Sequence, residues 1–210
     1  NLFLLYNGTA RPFSGLSNEV IHYFKKLPGY NTLRVILANK VILVEGPTDE
    51  LILQRAYKDL YQKLPIEDGI DVIVVESLAF KRYCEIAIAL KKKIYIITDN
   101  DGNKDKLREK YKDYIDNSYV KICYEPDEKF HTIEPSILNV NCHNGIPDQK
   151  FVNIVYKGNK SNKKEKISFD FLSQFMQKNK TEWALRVFDA EDNICYPEYI
   201  TDVLQKINQD

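Results

Sequence analysis

Val41-Ile42-Leu43-Val44-Glu45-Gly46-Pro47-Thr48-Asp49 decides how this chain folds. Four apolar, mostly β-branched residues with no polar alternation read as a short strand buried on both faces. Gly46-Pro47 stops it. Beyond the turn, Ile52, Ala56 and Leu60, with Leu53, Tyr57 and Leu64 beside them, lay an apolar stripe along a helix predicted at 49–63, capped by Thr48 or Asp49. The same unit recurs downstream. A strand is predicted at 71–75, a helix at 80–90, and a strand at 94–97 that runs into Thr98-Asp99-Asn100-Asp101-Gly102. A charged helix from about 104 to 114 and a strand at 119–124 follow. Strands alternating with helices of this length predict an α/β fold, a mostly parallel sheet covered by helices on both faces.

Outward from this core, at 40–140, the pattern loosens. Residues 1–39 carry Gly8, Pro12, Gly15, Pro28 and Gly29, which punctuate rather than extend any element, and read as a leading segment. Residues 131–141 are mixed. Residues 141–168 read as an irregular insertion whose Lys157, Lys160, Lys163, Lys164 and Lys166, with no apolar side chain after Tyr156, suggest a mobile surface loop. Helices near 169–178, 181–189 and 196–208 close the chain as a helical subdomain at 169–210. No internal repeat interrupts this order.

At 210 residues the chain has the size of one large domain, and 44% hydrophobic against 29% charged residues gives it a packed core rather than disorder. No apolar run approaches membrane-spanning length, and Asn-Leu-Phe-Leu-Leu at the start lacks the basic flank of a secretion signal. Thirty basic residues balance thirty acidic ones, so the chain is no simple DNA-coating protein and any nucleic-acid contact is local. Cys84, Cys123, Cys142 and Cys195 are scattered without a CxxC pair and read as reduced thiols in a cytoplasm. Because the first residue is Asn1 rather than Met, a fragment of a longer chain is expected.

In an open parallel sheet chemistry collects beyond the carboxyl ends of the strands, which is where the unusual acids lie. Glu45 directly follows the first core strand, and Asp49 falls in the first turn of the next helix, where the macrodipole favours an anion. Asp99 and Asp101 follow the third, and an extended Asp-x-Asp presents both carboxylates to one side. If the two strands are neighbours, four carboxylates converge and their repulsion demands protons or cations. Hard oxygen donors suit Mg²⁺ or Mn²⁺ rather than zinc. The plainer alternatives are turn chemistry for Asp-Gly and a helix cap for Asp49. An EF-hand starting at Asp99 fails, since Lys104 and Lys110 stand where Gly and Glu are needed. Neither a P-loop nor a GxGxxG fingerprint occurs, and His22, His131 and His143 share no metal-ligand spacing.

Val-Glu-Gly-Pro-Thr-Asp-Glu (44–50) and Thr-Asp-Asn-Asp-Gly (98–102), each after a strand, resemble the Toprim domain of topoisomerases, primases and certain nucleases, a Rossmann-like fold. With Phe-Lys-Lys-Leu-Pro-Gly-Tyr-Asn-Thr-Leu-Arg (24–34), Ile-Glu-Pro-Ser-Ile-Leu (133–138) and Lys-Asn-Lys-Thr-Glu-Trp-Ala-Leu (178–185), the chain is similar over roughly residues 20 to 205 to the C-terminal catalytic region of the overcoming lysogenization defect (OLD) family of ATP-dependent endonucleases. That family includes the nuclease subunit of the Gabija antiphage system. The resemblance implies Glu45, Asp49, Asp99 and Asp101 as the two acidic pairs, Glu134 as a later metal ligand with Ser136 beside it, and Lys180 as the lysine of the Asn-Lys-Thr motif. It also implies an ABC-type ATPase domain upstream, through which alone ATP would act, homo-oligomers at full length, and a helicase-like partner if the system is Gabija.

The expected activity is metal-dependent cleavage of DNA with two Mg²⁺ or Mn²⁺ ions, one activating water and one stabilising the leaving oxygen. Lys180 would neutralise charge growing on the phosphorus, where its plain alternative is a solvated lysine at a helix start. Lys91, Lys92, Lys93, Lys163, Lys164 and Lys178 are the candidates for contact with the DNA backbone, against the alternative of solvated faces. Two rival readings stand: a haloacid-dehalogenase-type phosphatase with Asp99 as nucleophile and Asp101 as acid, and a catalytically silent binding or assembly module.

Overall fold

The computed structural model describes residues 3–6, 9–12, 17–18, 21–22, 30–75, 79–156 and 167–210. A two-stranded antiparallel hairpin, β1 (Phe3–Tyr6) with β2 (Thr9–Pro12), and a helix α1 (Tyr30–Leu37) lie in the leading segment, where no element was predicted. The core follows as β3 (Lys40–Val44), α2 (Pro47–Tyr61), β4 (Ile70–Val74), α3 (Phe80–Leu90), β5 (Ile94–Ile97), α4 (Lys104–Lys110) and β6 (Val120–Cys123). The four strands form one parallel sheet in the order β4-β3-β5-β6. The expected α/β fold, a parallel sheet flanked by helices, is thus the one observed.

Side-chain alternation sorts the core into two layers. Ile42 and Val44 of β3, with Tyr95 and Ile97 of β5, face one hydrophobic cluster, while Val41, Leu43, Ile94 and Ile96 face the other. The second cluster is closed by α1, α3 and α4. The first is closed by α2 and by everything after the sheet: α5 (Ile133–Val140), the short hairpin β7 (Cys142–His143) with β8 (Ile146–Pro147), α6 (Gln149–Val155), α7 (Phe169–Lys178), α8 (Lys180–Asp189) and α9 (Glu198–Gln209). The terminal helices therefore share a core with the sheet. Trp183, Leu204 and Ile42 are all fully buried in that one cluster.

Three expectations change. The stretch 131–141 holds a regular helix, α5, and 141–156 holds a hairpin and α6 rather than irregular chain. The predicted lysine loop at 157–166 lies outside the described residues. Helix α2 starts two residues early because Pro47, which has no N–H to satisfy, takes the first helical position, and Gly46 rather than Thr48 or Asp49 is its N-cap. None of the described helices is long and apolar enough to cross a membrane.

Candidate metal centre

Glu45 is the first residue past β3 and Asp99 the second past β5, and the pairing of these strands puts both at one end of the sheet. The Glu45 Oε1 atom accepts hydrogen bonds from the Asp99 amide at 3.1 Å and from the Thr98 hydroxyl. Thr98 is buried, and its own amide extends the ladder to Cys123 on β6. One carboxylate oxygen thus staples the two strand ends together. Asp49, in the first turn of α2, reaches back so that its Oδ2 accepts from the Gly46 amide at 2.9 Å. The capping role set against a functional one is therefore real, but it occupies one oxygen only.

Glu134 arrives from α5 and is almost fully buried, at 1% exposure. Its Oε2 accepts from the Thr132 hydroxyl at 2.7 Å, while its Oε1 is buried without a hydrogen-bond partner. Lys180 Nζ lies 3.9 Å from that bare oxygen. Lys180 opens α8 just after Asn179, the single residue between α7 and α8.

The groups act on one another. Burial, then the Glu45 and Glu134 charges, push Asp49 up to about 7 against the pull of the Gly46 amide and Lys180. Burial, then Asp49, Glu45 and Glu134, push Asp99 up to about 8, again opposed by Lys180. Four acids from two strand ends and two helices, with one lysine, form a single electrostatic unit. Among the described residues no trio of His, Cys, Asp and Glu is already drawn around one point. The donor set nevertheless fits a hard divalent cation: every donor is a carboxylate, Glu45, Asp49 and Glu134 each have one oxygen anchored by a protein donor, and Glu134 leaves a buried oxygen unsatisfied.

Other sequence-predicted residues fall elsewhere. Asp101 is exposed and has φ 51, and with Gly102 at φ 72 it turns the chain before strand alternation can aim it beside Asp99. It is not among the charges that act most strongly on Asp99. The extended Asp-x-Asp geometry is therefore not formed. Asn100 between them is buried and structural: its side chain donates to Glu125 O at 2.7 Å and Asp127 O at 3.3 Å and accepts from the Gly102 amide at 2.7 Å. Ser136 lies two residues on from Glu134, buried, and donates to Glu125 Oε2 at 2.7 Å.

The lysine run 91–93 precedes β5, at the end of the sheet opposite the carboxylates. It is not one solvated face. Lys91 is exposed, whereas Lys92 is buried and donates to Val35 O at 2.8 Å, Ile36 O at 3.1 Å and Ala38 O, capping α1, and burial pushes its amine down to about 8. Lys93 pairs with Asp210 at 2.6 Å. Lys178 is exposed at the end of α7, two residues from Lys180. Lys163 and Lys164 lie outside the described residues.

Two residues at the site escape the sequence reading. Glu125 stands two residues past β6, as Asp99 does past β5, and that repeated position was the available signal. Tyr199, in the first turn of α9, hydrogen-bonds Ser136 and is held well above the ordinary tyrosine range by burial and then by the Asp49 and Asp99 charges. Nothing local marks it among fourteen tyrosines.

The parallel sheet flanked by helices, with acids gathered at the carboxyl ends of its two central strands, is consistent with a TOPRIM-type α/β fold. Residues 36–101 match the family model of the overcoming lysogenization defect protein-like TOPRIM domain. Among solved structures, the C-terminal region of the Burkholderia pseudomallei OLD protein is similar with a TM-score of 0.55 at 17% identity, covering 82% of this chain and 98% of that one. The C-terminal region of the Xanthomonas campestris pv. campestris OLD protein gives 0.54 at 16%, covering 82% and 95%. At these identities the likeness is one of fold. No curated protein matches the sequence significantly.

Proposed function

We propose that this chain is a metal-dependent nuclease module that hydrolyses DNA phosphodiester bonds. The observation that carries the reading is the unsatisfied, buried Glu134 Oε1 facing Lys180 within a cluster of carboxylates on an OLD-like TOPRIM fold. Glu45, Asp49, Asp99 and Glu134 would hold two Mg²⁺ or Mn²⁺ ions, which when bound supply an activated water and neutralise the leaving oxygen. The rest is done by the protein. Anchoring one oxygen of Glu45, Asp49 and Glu134 fixes the orientation of the other, so the site is organised before substrate arrives. Lys180, its side chain 60% exposed and its ammonium beside Glu134, is placed to meet a scissile phosphate entering from solvent. Lys178 offers the adjoining backbone phosphate a second cation. Ser136 and Tyr199 support the cluster through Glu125, and Asp101 is given no contact in this reading. An upstream ATPase domain, assembly of the full-length chain and a cytoplasmic location belong to the same proposal.

The test is cleavage of supercoiled plasmid with Mg²⁺, Mn²⁺ or EDTA, beside Glu45→Ala, Asp99→Ala and Lys180→Ala. Metal-dependent nicking or linearisation that disappears in all three variants is the expected result. A folded wild type that leaves DNA intact but hydrolyses a phosphate monoester through Asp99 overturns the reading in favour of a phosphatase.

A further inference from the structure

Arg55 lies in the middle of α2, a turn and a half from Asp49, and is 3% exposed. All three of its guanidinium nitrogens donate: Nε to Asp59 Oδ1 at 2.8 Å, one terminal nitrogen to the carbonyls of Val187 and Ala190, and the other to Asp192 O at 2.9 Å. The three carbonyls are the end of α8 and the chain just beyond it. Three hydrogen bonds from one buried fork, itself held by Asp59 on its own helix, fix a helix C-terminus far more tightly than capping by water. Asp59 is itself shared, since the Tyr196 hydroxyl donates to its Oδ2 at 2.5 Å just before α9 begins.

The position of this clamp gives it a consequence for the site. Helices α2 and α8 run in the same direction: Lys180, at the start of α8, is near enough to Asp49, at the start of α2, to act on its charge, and Arg55 bonds Val187 further along both. From Asp49 to Arg55 the axis advances about 9 Å, and from Lys180 to Val187 about 10.5 Å, at roughly 1.5 Å per residue. The spacings match to one residue. Fixing α8 at Arg55 therefore fixes how far along α2 Lys180 stands, and a slip of one residue would carry its backbone about 1.5 Å from Glu134.

We infer that Arg55 is a positioning residue whose clamp on the end of α8 sets Lys180 against Glu134 and Asp49. The inference rests on the nuclease reading for its kinetic consequence, though not for its structural one. Misplacement of a reacting group by about 1 Å is enough to cost on the order of 10²-fold in rate.

The experiment uses Arg55→Met, which keeps length and burial and removes the fork, alone and combined with Lys180→Ala. Two readouts are taken on each protein: plasmid-cleavage kinetics with Mn²⁺, and acrylamide quenching of Trp183, the chain's one tryptophan, fully buried on α8. The expected result for Arg55→Met is native circular dichroism, quenching raised about twofold, kcat lowered at least about tenfold and KM for DNA unchanged. In the Lys180→Ala background the same substitution is expected to lower kcat by less than about twofold, because the group it positions is gone. Unchanged quenching and kcat in a folded Arg55→Met overturn the inference, and so do losses that multiply in the double variant. If Arg55→Met does not fold, Tyr196→Phe with Asp59→Asn loosens the same clamp and is held to the same outcomes. Should wild type cleave nothing, or Lys180→Ala cleave normally, the nuclease reading fails while quenching still judges the clamp.

Discussion

Asp49 and Asp99 are acids that the fold makes reluctant to ionise. Both start from an ordinary value of 3.8 and are raised to about 7 and about 8. Between about pH 4 and 8 the folded chain retains protons that the unfolded chain releases, so this part of the stability is fully present below pH 4 and is lost as pH rises through 8. We expect the metal-free protein to melt at a higher temperature at pH 6 than at pH 8.5. Asp99→Asn should flatten that dependence, and Mn²⁺ should raise the melting temperature more at pH 8 than at pH 6. A steeper profile in Asp99→Asn would contradict this. For Glu134→Gln, the amide keeps the Thr132 contact and the shape but removes the charge, so the fold should stand while metal-dependent cleavage falls on the order of 10²-fold, read from single-turnover rates. Glu45 and Asp99 could be singled out because they follow buried strands closely, and Asp49 because it falls in the first turn of the helix after one. At Asp101 the extended geometry gives way to its plainer alternative, the Asp-Gly turn, because strand alternation does not carry past the left-handed Asp101-Gly102 pair. Tyr199 was unreadable because its place depends on where α9 returns.

At the scale of elements, two glycines beside the site have opposite reasons for being there. Gly46 sits at φ −149 and ψ 171, extended backbone open to any residue, and a Cβ there would meet only Asp49 Oδ2 at 3.6 Å. Gly102, at φ 72, occupies the left-handed region. Gly46→Ala should therefore change stability by less than about 0.5 kcal/mol, and Gly102→Ala should cost about 1–2 kcal/mol. Chemical denaturation of the two variants measures this, and equal losses would refute it. The strands and α3 were readable because uniform apolar runs and a strong stripe leave little choice. Helix α1 was not, because its exposed Tyr30, Leu33 and Leu37 blur the amphipathic pattern and only Val35 is fully buried. Helix α5 was obscured by Pro135 within its first turn, where proline is in fact tolerated.

Across the whole molecule, the helices after residue 167 are part of the same core as the sheet, joined through Trp183, Met176, Val187 and Leu204 to Ile42, Val44 and Ile97. A separate helical subdomain predicts two unfolding steps, whereas a shared core predicts one. We expect Trp183 fluorescence and far-ultraviolet circular dichroism to trace a single coincident transition in urea, with truncation at residue 167 leaving a chain that no longer folds. Noncoincident transitions would show that the two parts are independent.

The parallel order of the sheet carries one more implication, for engineering. With every strand pointing the same way, the connections leading into β4, β5 and β6 all lie at the rim opposite the carboxylates. Chain length on that rim is uncoupled from the chemistry. The exposed turn around Asp113 and Asp116 is thus a place to splice in a reporter peptide or a second binding domain, with the acidic cluster left as it stands.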